Sequence, residues 1–98
     1  MRTLLIDDIR DIKTTVVART YQEGIDALMN DGPFDVLYLD HDLASYDEDG
    51  NEKTGYHILC WLEEFPEYLP GHVELVTANP VGRRRMIQVL YKLYGGEK

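Results

Sequence analysis

The chain has 98 residues, 44% of them hydrophobic and 29% charged, which is the composition of a folded globular domain and excludes a disordered segment. That length predicts one domain, residues 1–98, with room for one modest core. A formal net charge of -8 repels nucleic acid as a whole and excludes broad duplex DNA binding, while no apolar run approaches the roughly 20 residues of a membrane helix.

Thr3-Leu4-Leu5-Ile6 is a short apolar run that ends in Asp7-Asp8. It predicts a strand buried on both faces, as in a parallel sheet. The two acids cut the run too short for a secretory leader, so the expected address is the cytoplasm. Residues 8–13 are too few for a crossover helix. Thr14 to Arg19 is β-branched and predicts a second strand. Thr20 and Glu23 have capping-box spacing and open a helix with Ile25, Leu28 and Met29 on its apolar stripe. Asn30-Asp31-Gly32-Pro33 stops it.

Val36-Leu37-Tyr38-Leu39 predicts the third strand, ending in Asp40-His41-Asp42. A polar loop rich in acids and glycine follows from Ala44 to Lys53. Thr54 caps a second helix with Ile58, Leu59, Trp61, Leu62 and Phe65 on its apolar side, and Pro66 ends it. Val73 to Thr77 predicts a fourth strand. Asn79-Pro80 starts the last helix with an N-cap side chain and a first-position proline, and Met86, Val89, Leu90 and Leu93 give it a buried face. The single cysteine, Cys60, lies among apolar residues and excludes an intrachain disulfide.

Strands alternating with helices predict an α/β fold with a mostly parallel sheet and helices on both faces. In such a sheet ligands bind beyond the carboxyl ends of the strands. Those ends carry Asp7-Asp8, Asp40-His41-Asp42 and Thr77-Ala78-Asn79. If the strands are neighbours, the acids converge, and two unit charges about 4 Å apart repel by about 4 kcal/mol at an effective dielectric near 20. Either protons or a cation must relieve them. Hard oxygen ligands favour Mg²⁺ or Mn²⁺ over zinc.

The last helix supplies the opposite polarity. Its N-terminus is an anion site by its free N–H groups and dipole, Gly82 would admit a ligand close to the backbone, and Arg83-Arg84-Arg85 follows. Arg83 is the preferred phosphate ligand, with Thr77 and Asn79 as neutral donors. Arg10 is either a second cationic contact or the neutralising partner of Asp7 or Asp8. His41 is placed to act as a general acid or base with Asp42 orienting it. His57, on a helix face, and His72, in a turn, are given no role, and Asp35, Asp47, Glu48 and Asp49 are read as solvated surface.

Asp7-Asp8, Asp40 and Thr77-Ala78 resemble the pattern of response-regulator receivers. That resemblance implies a receiver-like (flavodoxin-like) three-layer sandwich with strand order 2-1-3-4, Asp7, Asp8 and Asp40 as metal ligands, and Thr77 as a hydroxyl contact to a phosphoryl group on Asp40. The chain departs from ordinary receivers in its reduced first helix and in lacking the fifth strand with its lysine. A fuller match covers almost the whole chain: Leu5-Ile6-Asp7-Asp8-Ile9-Arg10, Leu39-Asp40-His41-Asp42-Leu43, Thr54-Gly55-Tyr56 and Asn79-Pro80-Val81-Gly82-Arg83 resemble the cyclic-phosphate-processing receiver-like domains of phage and bacterial genomes. Val76-Thr77 stands where that family commonly has His-Ser. The resemblance implies a metal-dependent phosphoesterase acting on the cyclic phosphate of a nucleotide or RNA end, with Asp40, His41 and Asp42 catalytic. The rival expectations are a phosphate- or nucleotide-binding module without turnover (a sensor, sponge or anti-defence factor) and a degenerate receiver for protein–protein contact.

Overall fold

The computed structural model describes residues 1–95. In chain order its elements are β1 (Thr3–Ile6), β2 (Val16–Ala18), α1 (Tyr21–Asn30), β3 (Val36–Leu39), β4 (Ser45–Tyr46), β5 (Glu52–Lys53), α2 (Gly55–Glu64), a 3-10 turn (Pro66–Tyr68), β6 (His72–Leu75) and α3 (Pro80–Tyr94). Four strands form one parallel sheet in the order β2-β1-β3-β6, which is the receiver-like order expected, with β6 as the fourth strand. Among the described residues no fifth strand extends it.

The β1 run is apolar throughout because the strand is central: Leu4, Leu5 and Ile6 are fully buried. Burial of such a side chain contributes about 2 kcal/mol. Edge strand β6 alternates instead, with Val73 and Leu75 buried and His72 and Glu74 exposed. Leu4, Ile6, Leu37, Leu39, Val73 and Leu75 share a core with Ile25 and Leu28 of α1, Ile58, Leu59 and Leu62 of α2, and Met86 and Val89 of α3. All three helices therefore pack on one side of the sheet, not on both faces as the three-layer expectation had it, because the short β1–β2 connection carries no crossover helix. Residues 7–15 form no helix, so the layer on the other side is thin. There Leu5 is fully buried while Val17, His72 and Glu74 are exposed.

Local chemistry sets the element ends. The Thr20 hydroxyl accepts the Glu23 N–H at 3.1 Å, but the Glu23 carboxylate takes the Arg19 N–H at 2.8 Å, so only half of the expected box closes on Thr20. Met29 lies at the exposed edge of α1, and Phe65 is the exposed C-cap of α2 rather than part of its stripe. The polar loop after residue 44 holds the antiparallel β4–β5 hairpin. Asp47 makes that turn by accepting the N–H groups of Asp49 and Asn51, each at 2.9 Å, with Gly50 at φ 82°. No helix among the described residues is long and apolar enough to cross a membrane.

Candidate functional site

Register decides where the strand-end acids emerge. Ile6, Leu39 and Leu75 are direct partners across β1, β3 and β6, so Asp7, Asp40 and Val76 leave the sheet at one level. The ladder continues one step past the strands: Asp7 N–H donates to Ala18 O at 3.1 Å, Asp40 N–H to Ile6 O at 3.0 Å, and Val76 N–H to Leu39 O at 3.0 Å. The order reverses between β1 and β3, and a crevice at the strand ends is expected at that point. One carboxylate oxygen each from Asp7, Asp8 and Asp40 lies within 4.8 Å of the others. Asp7 is fully buried, Asp40 nearly so, and Asp8 half-buried.

The three acids are not equivalent. Asp7 Oδ1 accepts the N–H groups of Ile9 and Arg10 at 3.1 Å, and Oδ2 accepts the Arg10 guanidinium at 2.7 Å. Burial pushes the Asp7 carboxyl up, but those N–H groups and the Arg10 charge outweigh it and hold the group below its ordinary value. Arg10 in this structure is thus the partner of Asp7. Asp40 has the opposite balance. Its burial and the Asp7 charge raise its carboxyl above the ordinary value, against the lowering effect of the His41 N–H, the Thr77 hydroxyl and Arg10. A buried carboxylate left under-compensated beside another is what a cation relieves. The donor set fits one, since a carboxylate has about four lone-pair sites and Asp7 has three hydrogen bonds. Mg²⁺ and Mn²⁺ match such hard oxygens.

A second group forms beside the first. His41 Nδ1 lies 2.9 Å from Asp42 Oδ1 and 3.5 Å from Asn79 Nδ2. A carboxylate on Nδ1 fixes the N–H there and leaves Nε2 with the lone pair. Asn79 is the N-cap expected of α3: its Oδ1 accepts the Gly82 N–H at 3.0 Å, and its backbone N–H reaches Thr77 Oγ1 at 3.0 Å. Arg83 N–H bonds Asn79 O at 2.9 Å, so the first turn of α3 is largely self-satisfied. What comes close to Gly82 is the His41 ring: a Cβ on Gly82 would stand 2.5 Å from its Cγ and 2.8 Å from its Nε2.

The structure brings Asp7, Asp8, Arg10, Asp40 and Thr77 into one cluster, and His41, Asp42, Asn79 and Gly82 into the adjoining one. The arginines of α3 do not join them. Arg83 donates to Leu75 O at 3.3 Å, Arg85 stacks 4.2 Å over the Tyr56 ring, and Arg84 is exposed.

Three contributors escaped the sequence reading. Gly55 N–H donates to His41 O at 2.8 Å, and a Cβ on Gly55 would collide with the Asp40 carbonyl oxygen and stand 2.9 Å from its carbon. The Gly in Thr54-Gly55-Tyr56 lets the start of α2 rest on the site backbone, and the glycine directly after a helix cap was the available signal. His57, at the third position of α2, accepts the Thr54 N–H on Nδ1 at 3.0 Å. Histidine is not a usual capping-box acid, so spacing alone gave no cue. Arg19 braces the loop after β1, donating to Asp7 O at 3.2 Å, Arg10 O at 2.7 Å and Asp11 Oδ1 at 2.6 Å.

A family model described as Cyclic-phosphate processing Receiver domain matches residues 2–92. No curated protein and no solved structure matches the chain.

Proposed function

Because the chain belongs to the family of cyclic-phosphate processing receiver domains, we propose that its strand-end site binds the cyclic phosphate of a nucleotide or RNA end and opens the ring by hydrolysis. The observation that carries this reading is the convergence of three carboxylates within 4.8 Å, with Asp40 under-compensated. Asp7, Asp8 and Asp40 would hold Mg²⁺ or Mn²⁺. Bound there, the cation would polarise a phosphoryl oxygen and acidify its water.

The chain's own residues have distinct parts. The Thr77 hydroxyl and the Asn79 amide orient the phosphate, and Arg10, already beside Asp7, brings a cationic N–H donor to its oxygens, while Arg83 is held on the Leu75 carbonyl. The tight His41–Gly82 contact keeps the start of α3 within reach of the ligand. In the reaction, the oxygen of water bonds to phosphorus and one ring P–O ester bond breaks. The released alkoxide takes a proton. His41 Nε2, oriented by Asp42, accepts the proton of the water and returns one to the leaving oxygen. A net charge of -8 directs this site to a mononucleotide or single-stranded end in the cytoplasm rather than to a duplex.

A 2′,3′-cyclic nucleotide incubated with protein and Mg²⁺ or Mn²⁺ should yield the ring-opened monophosphate on chromatography, and Asp40→Ala should yield none. A second reading, binding without turnover, follows from Val76: an aliphatic side chain stands at the end of the last strand where the family resemblance implies histidine, so that position supplies no proton-transfer group. Heat of binding in calorimetry with the ligand recovered intact selects that reading. Neither product nor heat overturns both.

A further inference from the structure

Strand β6 ends the sheet, and its outward backbone groups can be counted. Leu37 and Leu39 of β3 stand opposite Val73 and Leu75, and Val76 N–H donates inward to Leu39 O. By the alternation of a parallel ladder, Glu74 and Val76 turn their N–H groups toward β3, while Val73 and Leu75 turn theirs outward. Leu75 O is occupied by the Arg83 guanidinium at 3.3 Å. That leaves the N–H and C=O of Val73 and the N–H of Leu75 without partners among the described residues. Such an edge is a template for another strand.

An apolar groove of about 260 Å³ runs beside this edge, lined by His72, Val73, Ile87, Leu90, Tyr91 and Tyr94. Ile87, Tyr91 and Tyr94 are exposed on α3. Their helix carries Arg83, Arg84, Arg85 and Lys92 and no carboxylate, so this side lacks the acidic surplus that would hold two copies apart. Arg85 and Lys92 are engaged toward α2, on Tyr56 and Glu63, while exposed Arg84 lies one turn before Ile87 on the groove side, so the charge there is cationic and sits at the end toward the start of α3.

We propose that β6 pairs antiparallel with β6 of a second copy of this chain, centred on Val73, to make a continuous eight-stranded sheet. Partners across an antiparallel pair point to the same face, so a two-fold axis perpendicular to the sheet must pass through a residue position. Centring on Glu74 would set Glu74 against its own copy, and like charges directly opposite are destabilising. Centring on Val73 sets His72 against Glu74 of the second copy, twice. In the single chain these two side chains already meet at 3.1 Å, so their chemistry is complementary. In that register each Val73 exchanges both its N–H and its C=O with its copy. The blocked Leu75 O costs nothing at the centre of the pair. The exposed Ile87 and Tyr91 of the two α3 helices then face each other across the axis.

Sedimentation equilibrium of the full chain over a concentration series should give twice the monomer mass at the upper end. His72→Glu, which sets carboxylate against carboxylate, should return it to the monomer mass. His72→Glu with Glu74→Lys, which restores opposite charges, should recover the dimer. Hydrogen exchange supplies a readout independent of variants: protection of the Val73 amide should rise with protein concentration, while the Glu74 amide, bonded to β3, stays protected throughout. Monomer mass at every concentration overturns the proposal. So does a dimer that His72→Glu leaves intact, or one in which the Val73 amide exchanges freely.

Discussion

The ring of His41 stands over Gly82, with its Nε2 2.8 Å from where a side chain would begin. This contact joins the loop after β3 to the start of α3, and the Asp42 carboxylate on Nδ1 fixes the ring's direction. Gly82→Ala should displace the ring. The gain in helix propensity, about 1 kcal/mol, is set against a steric cost of about 2 kcal/mol, so Tm falls modestly. Turnover should fall far more, by about 100-fold, since an ångström of misplacement has that effect. Paired measurement of Tm and kcat checks it. A loss of stability with kcat intact would remove His41 from the mechanism.

Asp40→Asn should stabilise the metal-free protein. Its carboxyl is raised above 3.8 by burial and the Asp7 charge, so the charged form is disfavoured in the fold at neutral pH. The penalty is absent below 3.8, where folded and unfolded forms are both protonated, and is complete above the folded-state value. The neutral amide still accepts the His41 N–H. A higher Tm than wild type is expected at neutral pH without metal, the difference vanishing below 3.8. Added Mg²⁺ should raise the Tm of the wild type by more than that of the variant at the same concentration.

Gly55→Ala should be among the most damaging single substitutions. Its Cβ would collide with the Asp40 carbonyl oxygen and stand 2.9 Å from the Met86 methyl. Backbone cannot yield as a flexible side chain does, so a cost of about 3 kcal/mol is expected. Urea midpoints check it.

His57 predicts a pH dependence of stability separate from the carboxylates. Burial, then the charges of Lys53, Arg85 and His41, hold its folded-state pKa below 6.5, with Glu52 opposing. The unfolded chain therefore takes up the proton first as pH falls. The stabilisation is complete above 6.5 and is lost as pH drops through the folded-state value. Protonated Nδ1 cannot accept the Thr54 N–H, so a cap worth about 1 kcal/mol goes with it. His57→Gln keeps an acceptor and should abolish this part of the dependence. Urea midpoints measured on both sides of 6.5 distinguish the two proteins.

Much of this was legible in the sequence because the signals were local. The unbroken Leu4-Leu5-Ile6 run announced a central parallel strand, and Asn79-Pro80 announced a helix start. The convergence of Asp7, Asp8 and Asp40 followed only once the strand order implied by the family resemblance was granted, and the register of β1 and β3 bears it out. What depended on three-dimensional approach was not legible. Gly82 read as room for a ligand, yet the His41 ring fills that room. The arginines after it read as facing the acids, yet Arg83 turns to the Leu75 carbonyl and Arg85 to the Tyr56 ring. The hairpin around Asp47 hid in a run of acids because one carboxylate bonding two backbone N–H groups leaves no periodic pattern.

The most direct test of the carboxylate cluster is a titration of Mn²⁺ into the protein, with the free ion followed by electron paramagnetic resonance. One ion per chain should be taken up, competed by Mg²⁺, with affinity lowered at least about 10-fold in Asp40→Asn. No uptake, or uptake that Asp40→Asn leaves unchanged, would contradict the account.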